Sequence, residues 1–275
     1  MEKITEDFVR LVGNKPGPTS VILGGVHGDE ICGPDAILRV LPDLRIEKGN
    51  VLFGFGNPPA IEKRERFLGA NLNRMFADNL SPEDMISYEY QRAQFMKRYL
   101  DEADILLDIH ASTNPQSRPF CICESNACNI VQYLPVELVV SGFDEVEPGG
   151  TDYYMNKIGK IGICIECGYR EKLESVDLAE QAIKVFLGVA GHIGASFQRQ
   201  PQKYIKMYRL YKTKTDNFVL AREFGDFEEL QAGQLIGTDG LEEIHTDRES
   251  VILFPKNKEK EGEEAFLLGE VRHFA

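Results

Sequence analysis

The stretch GGVHGDE, residues 24–30, combines an imidazole with two carboxylates in a glycine-rich turn. It follows the apolar run VIL at 21–23, which predicts a buried strand, and it precedes AIL at 36–38, where a helical pattern begins. His27 and Glu30 therefore lie between the end of a strand and the start of a helix. Because open α/β sheets bind ligands in the crevice beyond the carboxyl ends of their strands, this turn is a candidate ligand site.

A second imidazole occupies the same kind of position. His110 lies near the end of ILLDIHAS, residues 105–112, which predicts another buried strand that runs into a polar loop. Together His27, Glu30 and His110 offer the three ligands of a catalytic zinc site, whose fourth position stays open for a water that loses a proton near neutral pH. Asp108 is on the same face of the strand as His110 and is a candidate hydrogen-bond partner for its imidazole.

Glu166 is a carboxylate within the otherwise apolar stretch ICIECGYR, residues 163–170. An unpaired buried carboxylate is costly, so this glutamate should have either a partner or a chemical role. Two interpretations remain open at this point. It forms a salt bridge inside the sheet, or it acts as a general base that takes a proton from water and delivers it to a leaving amine.

The segment EKRERFLGANLNRMF, residues 62–76, is rich in basic side chains. Lys63 and Arg64 are typical of a solvated surface. Asn73 and Arg74 differ, because they follow a Gly-Ala-Asn turn and have apolar neighbours that can hold them rigidly. A planar guanidinium beside an amide suits bidentate binding of a carboxylate, which predicts an acidic substrate.

The composition limits the partners of the chain. Its 31 basic and 44 acidic residues give a net charge of −13, which disfavours nucleic acid as a partner. No apolar run approaches the roughly 18 residues of a membrane span, and the first residues lack the apolar core of a signal peptide. We expect a cytoplasmic protein that binds a small molecule and no membrane, and the sequence is compatible with a homo-oligomer.

The remaining histidines and the six cysteines are assigned structural roles. His192 follows a predicted helix and is interpreted as its C-terminal cap, whereas His245 and His273 lie in the strand-rich tail, far from the other histidines. The cysteines are expected to be free thiols, because the chain has no export signal. Cys164 and Cys167 lie three apart on a predicted strand and should face opposite sides of it.

The order of the elements predicts an α/β fold with a mixed sheet covered by helices. Helices are expected from about 82 to 99, after Ser81 as N-cap, and from after Ser175 to about His192. A polar connector near 198 separates a predicted α/β domain, 1–197, which carries the candidate site, from a small all-β domain, 198–275. The charged run KNKEKEGEE, 256–264, is expected to be a solvated hairpin tip.

Four short motifs together resemble the succinylglutamate desuccinylase and aspartoacylase family, relatives of the zinc carboxypeptidases. GGVHGDE matches the family's G-x-H-G-x-E, and NLNRMF matches D-L-N-R-x-F. DIHAS carries the second histidine and IECG matches the catalytic E-x-G, in the family's order over residues 24–168. The strand-rich tail is similar in architecture to the small β domain of this family.

The resemblance implies a zinc-carboxypeptidase-like fold and a zinc-dependent amidohydrolase that cleaves a small N-acyl amino acid of the N-succinylglutamate or N-acetylaspartate kind. The implied roles are one zinc per chain held by His27, Glu30 and His110, activation of water by Glu166, polarisation of the scissile carbonyl by Arg66, and binding of a substrate carboxylate by Asn73 and Arg74.

The chain departs from the family pattern at one position, where Asn71 stands in place of the aspartate of D-L-N-R. We expect this change to leave zinc ligation intact and to affect the orientation of Arg74. Two alternatives stay open: a zinc carboxypeptidase that acts on peptides, and a non-catalytic binding protein on the same fold. A phosphate-binding role for the glycines is disfavoured, because Asp29 and Glu30 would repel an anion.

Overall fold

The structure of the protein is a computed structural model that describes residues 2–3, 5 and 7–272, so His273 lies outside the described residues. The strands, in chain order, are β1 (Glu2–Lys3), β2 (Phe8–Val12), β3 (Lys15–Gly24), β4 (Lys48–Phe55), β5 (Ile105–Ser112), β6 (Phe120–Cys123), β7 (Leu138–Ser141), β8 (Ile161–Tyr169), β9 (Lys203–Lys212), β10 (Phe218–Leu220), β11 (Glu228–Leu230), β12 (Leu235–Asp239), β13 (Glu242–His245), β14 (Ser250–Leu253) and β15 (Glu264–Arg272). The helices are α1 (Cys32–Val40), α2 (Pro58–Lys63), α3 (Pro82–Met85), α4 (Tyr88–Leu100), α5 (Cys128–Val131), α6 (Phe143–Val146), α7 (Thr151–Lys157) and α8 (Leu173–Val189).

Four parallel neighbours, β4-β3-β5-β8, form the centre of a large mixed sheet. Their sequences are nearly continuous apolar runs, as expected for strands that are buried on both faces. Successive residues alternate between the two faces: Ile22 packs in one apolar cluster, while Val21 and Leu23 pack in another. The predicted mixed α/β fold is confirmed.

Helices cover both faces of this sheet. Residues of α1 and α8 pack on one face with Ile22, and residues of α4 pack on the other face with Val21 and Leu23. The parallel strands therefore bring their carboxyl ends to one edge, between two layers of helices. His27 and Glu30 follow β3 at this edge.

One continuous helix was expected from about 82 to 99, but the structure has two helices there, so that prediction was wrong. Ser81 caps α3 through a capping box with Asp84, and α3 ends at Met85. Ser87 then accepts a hydrogen bond from the Tyr90 N–H and starts α4 as a second N-cap. The helix predicted after Ser175 is α8, which starts and ends slightly earlier than expected.

The C-terminal strands extend the large sheet. β9 pairs in parallel with β7, and β15, β14 and β11 follow in antiparallel order, while β10, β12 and β13 form a separate three-stranded sheet. This arrangement confirms a small, all-β C-terminal part; the boundary after residue 197 stays a prediction. No helix among the described residues has the length and apolar character that a membrane crossing requires.

Candidate active site

His27, Glu30 and His110 converge at the carboxyl ends of β3 and β5. Each contributes one potential ligand atom, and these atoms all lie within 4.8 Å of one another. The carboxylate of Glu30 lies between the two rings, with His27 Nδ1 at 2.9 Å from Oε1 and His110 Nδ1 at 2.9 Å from Oε2. All three side chains are buried. The predicted ligand residues are therefore brought together.

Local packing fixes the turn that carries His27 and Glu30. Gly25 adopts a left-handed backbone with φ of 70°. A Cβ on Gly28 would lie 2.1 Å from the carbonyl carbon of Ala60 in α2, so only glycine allows this close approach. The glycines of the motif thus serve the backbone of the turn rather than a phosphate.

The charges of the three residues are strongly linked. Burial alone would raise the pKa of Glu30, but the neighbouring imidazoles lower that pKa well below its usual value. Burial alone would lower the pKa of His110, but Asp108 and Glu30 raise it well above its usual value. Glu30 is further held by the Ala111 N–H, at 3.1 Å from Oε2. The carboxylate is therefore ionised and fixed in place.

Each imidazole has a polar neighbour on the side away from Glu30. His110 Nε2 lies 3.1 Å from Asp108 Oδ2, as expected from their positions on one strand face. His27 Nε2 lies 3.0 Å from Asn71 Oδ1. Asn71 also caps the turn Leu72–Arg74, so its expected effect on the orientation of Arg74 stays a prediction.

Glu166 lies on β8, directly opposite His110 of β5 in the strand register. Its Oε2 atom is buried and has no hydrogen-bond partner in the described part of the chain. The alternative of a salt bridge within the sheet is not formed there. Burial and the negative charge of Glu30 raise the pKa of Glu166 to about 7. An acid of this kind can gain and lose a proton near neutral pH.

Arg66 reaches the same site from the loop after α2. Its Nη1 donates to Glu30 Oε1 at 2.9 Å, and 45% of its side chain remains exposed to the cleft. The following loop is held by Glu89, whose carboxylate accepts hydrogen bonds from the N–H groups of residues 68, 69 and 70. Sequence analysis gave no role to Glu89, because its partners are backbone groups.

Asn73 and Arg74 lie in a single 3-10 turn and line a small cavity of the site. Asn73 Oδ1 accepts a hydrogen bond from the Thr151 N–H at 3.3 Å. Arg74 forms an ion pair with Glu147 and lies 3.7 Å from Glu264. The predicted carboxylate-binding guanidinium therefore already has acidic neighbours, which the sequence did not indicate.

A cleft of about 500 Å³ opens beside Glu30, Arg66 and Glu166. A smaller cavity of about 90 Å³ borders both histidines of the site and Glu166. The tip of the β14–β15 hairpin forms part of the cleft wall with Lys256 and Lys258. The sequence predicted that these lysines lie in a solvated hairpin tip. The hairpin is present, but the two lysines line the cleft of the candidate site.

The other residues of the sequence analysis lie elsewhere. His192 caps α8 as predicted, through its backbone N–H, while its imidazole bonds to Ser20 Oγ and to the Lys48 carbonyl. His245 contacts Glu243 on the surface. All six cysteines are free thiols, and Cys164 and Cys167 pack in different clusters as expected.

The residues at the site fit a divalent metal ion. Two imidazole nitrogens and a carboxylate oxygen are the donors of catalytic zinc centres with an open position. The polar neighbours of the two rings are the kind of groups that orient such ligands. The unpartnered Oε2 of Glu166 is a buried acceptor that lacks only a proton donor, which a water in the open position would provide.

Comparisons with known proteins agree with this geometry. Residues 16–193 match the family model of the succinylglutamate desuccinylase/aspartoacylase catalytic domain. The succinylglutamate desuccinylase of Shewanella denitrificans is 23% identical over 91% of this chain and 81% of its own length. An N-acyl-aromatic-L-amino acid amidohydrolase of Rattus norvegicus is 27% identical over 56% of this chain and 54% of its own length.

The fold also matches solved structures. The crystal structure of succinylglutamate desuccinylase from Vibrio cholerae superposes with a TM-score of 0.82 at 18% identity, over 96% of this chain and 85% of the other. The family model covers more than half of the chain and includes all the residues predicted for the site. The chain therefore belongs to the succinylglutamate desuccinylase/aspartoacylase family.

Proposed function

We propose that this protein hydrolyses the amide bond of a small N-acyl amino acid, of the N-succinylglutamate or N-acetylaspartate kind, with a zinc ion held by His27, Glu30 and His110. The observation that carries this proposal is the convergence of three ligand atoms within 4.8 Å of one another, near the Oε2 atom of Glu166, which has no hydrogen-bond partner in the described part of the chain. The names of the relatives, a desuccinylase and an N-acyl amino acid amidohydrolase, support the same bond type.

Zinc in this position supplies a Lewis acid and lowers the pKa of the attacking water. Glu166 accepts the proton of that water at its unpartnered Oε2 as the water oxygen bonds to the amide carbon. The same carboxyl then delivers the proton to the leaving nitrogen as the carbon–nitrogen bond breaks. A pKa of about 7 suits both steps, because the group can release the proton that it has accepted.

Arg66 stabilises the charge that develops on the carbonyl oxygen. One of its nitrogens is bonded to Glu30, which fixes the guanidinium, and the side chain lines the cleft with 45% of its surface exposed. A preorganised donor of this type contributes about 3 kcal/mol to the stability of the transition state.

Asn73 and Arg74 hold the carboxylate of the substrate. Arg74 is paired with Glu147, so a substrate carboxylate has to compete with Glu147 for the guanidinium. Lys256 and Lys258 add positive charge to the same cleft, and the pKa of Lys256 is lowered by burial and by the charges of Lys258 and Arg66. Glu263 and Glu264 line the same cleft, so the two lysines offset part of its negative charge and offer partners to an anionic substrate.

Two alternatives are less well supported. A cleft of about 500 Å³ bordered by the β14–β15 hairpin suits a small molecule better than an extended peptide, which disfavours the peptide carboxypeptidase. A binding protein without catalysis has no use for an oxygen such as Glu166 Oε2, which is buried without a hydrogen-bond partner among the described residues and so costs stability.

A substrate panel tests the proposal. N-acetyl and N-succinyl amino acids and short peptides with a free carboxyl terminus are incubated with the zinc-loaded protein, and amine release is measured with and without a chelator. We expect cleavage of N-acyl amino acids that the chelator abolishes and zinc restores. Cleavage of peptides alone would favour the carboxypeptidase, and cleavage that survives complete removal of metal would refute the zinc mechanism.

A further inference from the structure

The two candidate histidine ligands have similar neighbours that differ in charge and in hydrogen bonding. In both rings Nδ1 faces Glu30, at 2.9 Å in each case. Behind His110, Nε2 lies 3.1 Å from the carboxylate of Asp108, at ion-pair distance but outside hydrogen-bond geometry. Behind His27, Nε2 faces the neutral amide of Asn71 at 3.0 Å. The same site thus contains one imidazole backed by a negative charge and one backed by an uncharged group.

The orientation of the Asn71 amide follows from its second contact. Asn71 Oδ1 also accepts the backbone N–H of Asn73, at 3.0 Å, in the turn that Asn71 caps. A backbone N–H can only donate, so the atom that faces His27 is the amide oxygen. His27 must then carry its proton on Nε2, which leaves the lone pair of Nδ1 directed at the metal position.

A group behind a ligating imidazole can act on metal binding in two separate ways, by orienting the ring and by adding charge. A carboxylate behind an imidazole both fixes the ring and makes its coordinating nitrogen more basic. An amide oxygen fixes the ring and the tautomer but adds no net charge. The guanidinium of Arg66 donates to Glu30, and its positive charge makes the potential at the metal position less negative.

We propose that Asn71 is a positioning residue that fixes the tautomer of His27 while it withholds the charge that Asp108 provides to His110. The chain consequently binds zinc more weakly than it would with an aspartate at position 71. This inference rests on the proposed function only in that His27, Glu30 and His110 bind the metal. It concerns affinity, so it can be measured without substrate.

The test is zinc affinity, measured by competition with a chromophoric chelator on purified full-length protein. Asn71→Asp keeps the acceptor and adds the charge, and we expect zinc to bind about 10 to 100 times more tightly. Asn71→Ala removes the acceptor, and we expect binding about 10 times weaker. Asn73→Asp is the matched control, because it adds the same charge two residues away without contacting a histidine ligand.

The control should stay close to the wild-type affinity. Equal tightening by Asn73→Asp and Asn71→Asp would show a general effect of charge and overturn the proposal. The proposal would also be overturned if the Asn71→Asp protein bound zinc as weakly as the wild type or more weakly. Wild-type protein that binds no zinc would refute both this inference and the proposed function, whereas an unchanged affinity in the variants refutes the inference alone. Thermal unfolding of the metal-free variants verifies that each one is folded.

Discussion

Glu30 is the residue on which the candidate metal centre depends most. Its two oxygens contact both imidazoles, the guanidinium of Arg66 and the Ala111 N–H. Four polar contacts around one carboxylate leave it little freedom to rotate. The site is therefore held in shape by contacts within the chain, and the ligands need little reorganisation to bind a cation.

Glu166 and His110 are neighbours on adjacent strands, but their proposed roles predict different defects. Glu166→Gln should retain about one zinc per chain and lose turnover by about 10²- to 10⁴-fold, because a general base is removed while the ligands stay. His110→Ala should lose the zinc itself. Elemental analysis and steady-state kinetics separate the two effects.

Glu263→Gln, on the wall of the same cleft, is a control variant that should keep both zinc and turnover. A Glu166→Gln protein with wild-type turnover would contradict the assignment of Glu166 as the general base.

Arg74 and Glu147 form a pair whose removal should have opposite effects. Arg74→Ala should raise KM for substrates with a free carboxylate, because the guanidinium that binds it is lost. Glu147→Gln should lower KM for the same substrates, because the guanidinium is released from its ion pair. Steady-state kinetics with an acid and its amide distinguish charge recognition from a general defect. Equal changes toward both substrates would contradict carboxylate binding by Arg74.

Residues at strand ends could be predicted from the sequence, whereas residues from distant loops could not. His27, His110 and Glu166 each interrupt or follow an apolar run, which gives a chemical group a position on a sheet edge. Lys256 and Lys258 lie in a charged run that is typical of solvated loops, and only the path of the hairpin brings them to the cleft. No local pattern encodes that path.

At the scale of elements, the start of α4 organises the loop that leads to Asn71. Glu89 is fully buried, and its Oε1 accepts from the Leu68 N–H at 2.8 Å while Oε2 accepts from the Ala70 N–H at 3.2 Å. Burial alone would raise the pKa of Glu89, but these backbone hydrogen bonds lower it below the ordinary value of 4.5. The ionised carboxylate thus stabilises the folded state.

Glu89→Gln should lower the free energy of unfolding by about 2 kcal/mol at pH 7, because the amide NH₂ would face backbone donors. A carboxylate with a lowered folded-state pKa contributes its full stability above its unfolded-state pKa, and it loses that stability as the pH falls through the folded-state value. The difference between wild type and Glu89→Gln should therefore shrink below pH 4.5. Urea unfolding of the metal-free proteins at several pH values measures this difference in unfolding free energy. A difference that stays constant down to acid pH would contradict a stabilising role of the ionised Glu89 carboxylate.

The strands were easier to predict than the helix boundaries. The central strands are continuous apolar runs with few alternatives, so β3, β5 and β8 were found in place. The break between α3 and α4 was missed, because the helical pattern continues through Ser87 and serine is compatible with a helix interior. Its capping hydrogen bond to the Tyr90 N–H is visible only in three dimensions.

At the scale of the whole molecule, the C-terminal strands are part of the main sheet. Leu138 and Val140 of β7 share one apolar cluster with Ile205 and Met207 of β9. A contact of this kind resembles the interior of a domain rather than an interface between domains. We propose that the predicted parts, 1–197 and 198–275, fold together.

Unfolding of the metal-free chain should show one cooperative transition, with the same midpoint by circular dichroism and by tyrosine fluorescence. A fragment that ends at residue 197 should fail to fold, because it exposes the apolar cluster around Val140. Gel filtration and circular dichroism of the fragment test this expectation. A soluble, cooperatively folded fragment would show instead that the two parts are independent.

The hairpin of β14 and β15 places its tip on the wall of the cleft, although strand pairing with β9 and β11 holds its base. The tip contributes none of the groups assigned to bond cleavage. Under the proposed function, we therefore expect a short insertion or a reversed charge in this loop to change which substrates are accepted while the groups that cleave the bond stay in place.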